Sequence, residues 1–210
     1  MARPGIAALF RTPLRRTTLL AILVCATALT AHWAFLFWYI QHLRNLLGLA
    51  GVPDQQIRTQ VSMAMILVVG SSMPGNFLAG AIARRLGYRR AIILLCLAYS
   101  GCMSLCYGVP RDHESLLYFL AAIGVCQGVF ALFTMYHPPL FPTLLRTTGA
   151  GLCFNIGRVV AAFGVVFFGL FSKVGDYRLA LLYAGLLFLP ASAVACFLPE
   201  PPDDAPSRRG

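Results

Sequence analysis

Two side chains three residues apart, Asn155 and Arg158, interrupt a run from Thr147 to Leu170 in which Arg158 is the single charged residue. If the run is a helix, that spacing puts both on one face. A guanidinium is permanently charged and offers a planar fork of donors that grips a carboxylate with two bonds, while an amide beside it adds a donor and an acceptor. The chemistry to expect is recognition of a carboxylate or similar anion. Gln127 and Asn76 are amides in comparable apolar runs and can hydrogen-bond a polar solute. His32 is the deepest titratable group, next to Trp33 and close to Phe37 and Trp38. Each candidate has a plainer reading beside it. Amides tie helices together, His32 can be a packing residue below an interfacial belt of Trp38, Tyr39 and His42, and Arg158 can bond carbonyls where helices meet.

Catalysis finds little to work with. The segment "VVGSSMPG", Val68 to Gly75, lacks the nucleophile turn of a serine hydrolase, and no partner histidine is spaced to serve it, so the chain is not expected to be an enzyme. All seven cysteines, Cys25, Cys96, Cys102, Cys106, Cys126, Cys153 and Cys196, fall in apolar runs, and none has the CxxC spacing of a metal or redox site. Neither a metal nor a cofactor is expected.

The elements that must hold these residues are legible from composition. Of 210 residues 59% are hydrophobic and 11% charged, too little polar surface to cover a water-soluble fold. Crossing a bilayer takes about 17 to 25 apolar residues at roughly 1.5 Å each. Six such runs are present: Thr17 to Leu43, Val61 to Ala83, Ala91 to Val109, Ser115 to Tyr136, Thr147 to Leu170 and Leu179 to Leu198. The fold expected is an all-α membrane bundle of six transmembrane helices. Residues 1–16 read as a cytoplasmic amino-terminal segment, 17–198 as one six-helix domain, and 199–210, rich in proline and charge, as a disordered cytoplasmic tail. The short connections include Arg44 to Gln60, Arg84 to Arg90 and His137 to Arg146. The basic, apolar and small-residue order before Ala31 is also that of a signal peptide, but "HWAFLFWYI" extends the apolar run, which favours a retained helix.

A net charge of +10 would suit nucleic acid, yet the distribution of charge argues otherwise. With the amino terminus inside, eleven lysines and arginines fall on the cytoplasmic side and five outside. That is the positive-inside pattern, and it predicts an integral protein of the plasma (inner) membrane with both termini cytoplasmic. No basic soluble module is present to bind nucleic acid. Inside its span Arg158 lies about ten residues, roughly 15 Å, from the start, and an arginine at that depth costs about 2.5 to 3.5 kcal/mol on insertion scales. It must face protein or water.

Two motifs carry a resemblance. The stretch "GAIARRLGYRRA", Gly80 to Ala91, is similar to the basic loop motif of the major facilitator superfamily, with Gly80, Arg85, Gly87, Arg89 and Arg90 as matching residues and Arg84 where that family has an aspartate. Gly87 suits a turn with positive φ, and Gly80 suits close helix approach. The stretch "YHPPLFPTLLRTTGAGLCFNIGR", Tyr136 to Arg158, resembles the segment joining helices ten and eleven in the metabolite:proton and sialate or aromatic-acid symporter branch. Its matching residues are Phe141, Pro142, Thr143, Arg146, Thr148, Gly149, Gly151, Asn155, Gly157 and Arg158, with Pro139 in place of the usual acid. The resemblance implies the carboxyl-terminal six-helix half of a secondary, symporter-like carrier for a small polar or anionic metabolite. It implies as partners the lipid bilayer, the solute and a second six-helix bundle, from another chain or a self-copy. A noncatalytic membrane subunit, or a transporter fragment without activity of its own, is the alternative.

Overall fold

The computed structural model describes residues 5–172 and 176–200. Lys173, Arg3, Arg208, Arg209 and most of the proposed tail lie outside them. Six helical segments are long and apolar enough to span a membrane, as the hydropathy runs require. They are built from eight helices: α1 (Leu14–Leu49), α2 (Asp54–Leu86), α3 (Tyr88–Tyr107), α4 (His113–Cys126), α5 (Val129–Tyr136), α6 (Arg146–Ser172), α7 (Tyr177–Leu186) and α8 (Phe188–Ala195). The fourth span is α4 and α5, broken at Gln127 and Gly128, and the sixth is α7 and α8, broken at Leu187.

The connection expected from Arg44 to Gln60 is a correction. α1 runs on to Leu49 and α2 starts at Asp54, leaving only a four-residue turn between them. Hydropathy marks where a helix leaves hydrocarbon, whereas the backbone keeps its i to i−4 bonds for as long as the residues allow, and α1, at 36 residues, is about 54 Å long. Likewise the Arg84 to Arg90 loop shrinks to a single residue. Gly87, at φ 85°, joins α2 to α3 in the left-handed region that glycine reaches without strain.

α1 is the hub, packed against α2, α6, α7 and α8. That position sets two residues of the expected belt against neighbouring helices. Tyr39 is buried with its ring 4.9 Å from Phe35, and Trp38 donates its indole N–H to the Val165 carbonyl of α6 at 3.3 Å. A helix surrounded on several sides sinks aromatics that a peripheral helix would leave at the headgroups. Tyr99 of α3 stacks on Phe188 of α8, centroids 4.0 Å apart, closing the core on the other side.

Small residues set the closest approaches. α2 crosses α4 and α5 through Gly75, Gly124 and Gly128, and a β-carbon on Gly75 would lie 2.9 Å from Val125 Cα. In lipid, where burying apolar surface gains little, such backbone proximity is the main source of helix association. α6 lies on α1 through Gly157, where a β-carbon would meet Cys25 Cβ at 2.7 Å, and Gly164, which faces Thr30. Gly80 is different: nothing lies within 4 Å of where its β-carbon would be, so the close approach expected there is absent within this chain.

Helix ends are satisfied by polar groups outside the spans. Asp112 caps α4 by accepting from the Ser115 N–H at 3.2 Å and the Ser115 hydroxyl at 2.7 Å, and these bonds hold its carboxyl below the usual carboxylate range. The carboxyl end of α3 is capped by two arginines from elsewhere in the chain. Arg111 donates to the Leu105 carbonyl at 3.0 and 2.8 Å, and Arg178 donates to the carbonyls of Tyr107 and Gly108 at 2.9 and 3.1 Å.

Two helices keep large apolar faces outward. α2 exposes Ile66, Met73 and Phe77, and α6 exposes Phe163, Val166 and Phe167.

Candidate functional site

Gly157 presses the α6 backbone onto α1, and the next residue, Arg158, is thereby turned away from the seam. It is exposed, at about 18 Å from the first residue of α6 by helical rise. Arg158 lines a recess of about 440 Å³ together with Trp33 and Phe37 of α1 and Ala162, Val165 and Val166 of α6. The recess is apolar apart from the guanidinium. Among the described residues no hydrogen bond or ion pair engages Arg158, which sets it apart from Arg89, Arg111 and Arg178, all committed to carbonyls or carboxylates. Asn155 is exposed one turn earlier on the same face, as the spacing requires. A cation at the edge of an aromatic recess can hold an anion while an apolar body lies against Trp33 and Phe37.

The other candidates fall into different places. His32 touches Trp33 edge-on, ring centroids 6.0 Å apart, but points into the bundle: its Nδ1 lies 3.3 Å from the Tyr99 hydroxyl, and its ring packs 4.4 Å from Phe130. Gln127, at the break between α4 and α5, is half-buried near Tyr99, and its amide nitrogen has no hydrogen-bond partner among the described residues. His32, Tyr99 and Gln127 therefore form an interior polar cluster joining α1, α3 and the α4–α5 junction. Tyr99 was missed from the sequence because a tyrosine in an apolar run reads as core, which it also is. Asn76 is exposed on α2 and has no hydrogen-bond partner among the described residues. His137 is buried, with Nδ1 2.7 Å from the Phe133 carbonyl and Nε2 3.6 Å from Cys25 Sγ, a structural tie between α5 and α1.

Several residues of the two motifs make turns and helix contacts. Phe141 is buried over Gly149, where a β-carbon would lie 2.6 Å from its ring, and Arg146 Nε donates to the Phe141 carbonyl at 3.4 Å. Pro142 and Thr143 shape the 3-10 turn Thr143–Leu145 that leads into α6. In the other motif Arg89 pairs with Glu200 at 3.6 Å and donates to the Leu198 carbonyl at 3.4 Å, while Tyr136 donates its hydroxyl to the Pro199 carbonyl. Arg85 and Arg90 are exposed.

No family model matches the chain. It is similar to a synaptic vesicle 2-related protein of Bos taurus, 30% identical over 65% of this chain and 25% of that protein. It is 28% identical to organic anion transporter 3 of Sus scrofa over 95% of this chain and 34% of that protein. With solute carrier family 22 member 6 of Mus musculus the identity is 28%, over 67% of this chain and 26% of that protein. The chain thus spans about a quarter to a third of the length of the curated relatives it matches. These likenesses support the resemblance to a six-helix half of the major facilitator superfamily, and they do not support its sialate or aromatic-acid branch.

Proposed function

We propose that this chain is one six-helix bundle of a major-facilitator-type secondary carrier and that it takes part in moving a small polar or anionic metabolite across a membrane. One observation carries the anionic preference: the uncommitted Arg158 in a recess otherwise made of Trp33, Phe37 and aliphatic side chains. The name of one relative, organic anion transporter 3, agrees with it. Placement in the metabolite:proton or sialate and aromatic-acid branch rests on the Phe141 to Arg158 motif alone, and the relatives named above lend it no support. His32 bonds Tyr99 inside the bundle instead of facing Arg158, so the geometry gives proton coupling no particular residue.

Alternating access rocks one bundle against another around a shared site. The outward apolar faces of α2 and α6 suit a second bundle, whether another chain or a self-copy. Purified monomer in liposomes is therefore expected to show no saturable carboxylate uptake, while the oligomer or complex extracted intact from native membranes shows it. Saturable uptake by the monomer would overturn the two-bundle reading. No uptake by the intact assembly would leave the noncatalytic subunit or inactive fragment.

The excess of arginines at the end bearing the α2–α3 turn supports a reading in which that end and both termini face the cytoplasm of a plasma (inner) membrane. Alkaline phosphatase fused after Gly210 should then be inactive and a cytoplasmic fluorescent reporter bright. The reverse pattern, or cleavage near Ala31, contradicts the topology.

A further inference from the structure

The first acidic residue of the sequence is Asp54, so every charged side chain before it is basic. A 3-10 turn, Ile6–Phe10, is pinned to the bundle: Leu9 is fully buried, its carbonyl accepts the Thr18 hydroxyl at 2.9 Å, and the turn packs on both α1 and α6. Pinning Leu9 turns its neighbours outward, leaving Ile6 53% and Phe10 40% exposed. Directly beside them Arg11, Arg15 and Arg16 are exposed, and none has a side-chain hydrogen bond or ion pair among the described residues. Arg15 N–H bonds the Arg11 carbonyl at 3.0 Å, which ties the extended Arg11 to the first turn of α1. The unit is held at the end of the first candidate span, with apolar side chains next to cations that have no ion pair among the described residues.

We propose that Ile6 and Phe10 with Arg11, Arg15 and Arg16 form a binding site for an anionic phospholipid, the arginines on the headgroup phosphate and the two apolar side chains in the acyl boundary. Three features favour lipid over a soluble anion. The apolar pair adjoins the cations, the fork geometry of arginine matches a phosphate diester, and the segment is fixed at the membrane surface instead of trailing into solution. The site lies apart from the Arg158 recess and does not depend on the transport reading.

The test uses the full chain in mild detergent, with bound lipid counted by native mass spectrometry after incubation with equimolar phosphatidylglycerol and phosphatidylcholine. Wild type should retain phosphatidylglycerol preferentially, and Arg11→Gln/Arg15→Gln/Arg16→Gln should lose up to about a hundredfold in apparent affinity at low salt. Phe10→Ser should weaken retention with the charges intact, and because these side chains are exposed the variants should elute and melt like wild type in phosphatidylcholine. Millimolar inorganic phosphate should not displace the lipid. The proposal fails if the triple variant retains phosphatidylglycerol like wild type. It fails equally if Arg84→Gln/Arg85→Gln/Arg90→Gln, which removes the same charge from the same end of the bundle, lowers retention as much. Displacement by phosphate would mark a plain anion site and also overturn it.

Discussion

Arg158→Gln, measured in the intact assembly, is expected to abolish detectable carboxylate recognition while leaving the amount of folded protein unchanged. Hydrogen bonds to a charged group contribute about 1.5–3 kcal/mol, so losing the guanidinium lowers affinity by about ten- to a hundredfold for each such bond. Arg158→Lys keeps the charge but not the two-pronged geometry and should fall between wild type and Gln. The reason to expect normal folding is local: Arg158 is exposed and bonded to nothing among the described residues, so its removal strands no buried partner. Trp33→Ala should weaken binding of solutes with an apolar body more than that of small carboxylates, because Trp33 forms the recess wall beside the charge. The readout is ligand binding or initial uptake per folded molecule, across carboxylates and neutral sugars. Unchanged carboxylate affinity in Arg158→Gln removes the substrate role. A parallel loss for sugars would point to a packing role instead.

A second large effect separates two glycines of α2 that look alike in sequence. Gly75→Ala puts a methyl group against the Val125 backbone, where neither partner is a side chain that can rotate aside, so α2 must move off α4. Overpacking typically costs about 1–3 kcal/mol, and contact with backbone belongs at the upper end or beyond. Gly80→Ala meets nothing within 4 Å and removes a glycine from a helix interior, which should stabilise by up to about 1 kcal/mol. Thermal unfolding in detergent should therefore show opposite signs, with Gly75→Ala melting lower and Gly80→Ala at or above wild type. Equal effects would mean that the α2–α4 seam is looser than the structure has it. If Gly80→Ala melts normally but the intact assembly loses transport, Gly80 is packing against the second bundle.

The number and approximate position of the spans, the absence of strands and the shared face of Asn155 and Arg158 were all determined by sequence. Each depends on a local quantity: apolar run length against bilayer thickness, or the 3.6-residue period. Gly87 belongs with them, because a one-residue turn between two long helices demands a conformation that glycine alone adopts freely. The motifs named further residues without revealing their contacts: Phe141, Gly149 and Arg146 pack at a turn, and Arg89 fastens Leu198 and Glu200.

What tertiary structure decided was direction. His32 and Trp33 are neighbours in the chain, and about 100° of helical rotation between them sends one to Tyr99 and the other to the recess. That Trp38 and Tyr39 turn toward other helices follows from α1 being the central helix, with α6 supplying the carbonyl that Trp38 bonds. The contrast between Gly75 and Gly80 has the same origin. In a chain where almost every helix is apolar all round, hydropathy no longer tells the inward face from the outward one. That choice is made by which small residues let backbones meet, a pairwise property of helices distant in sequence, and it is what leaves Arg158 facing open space.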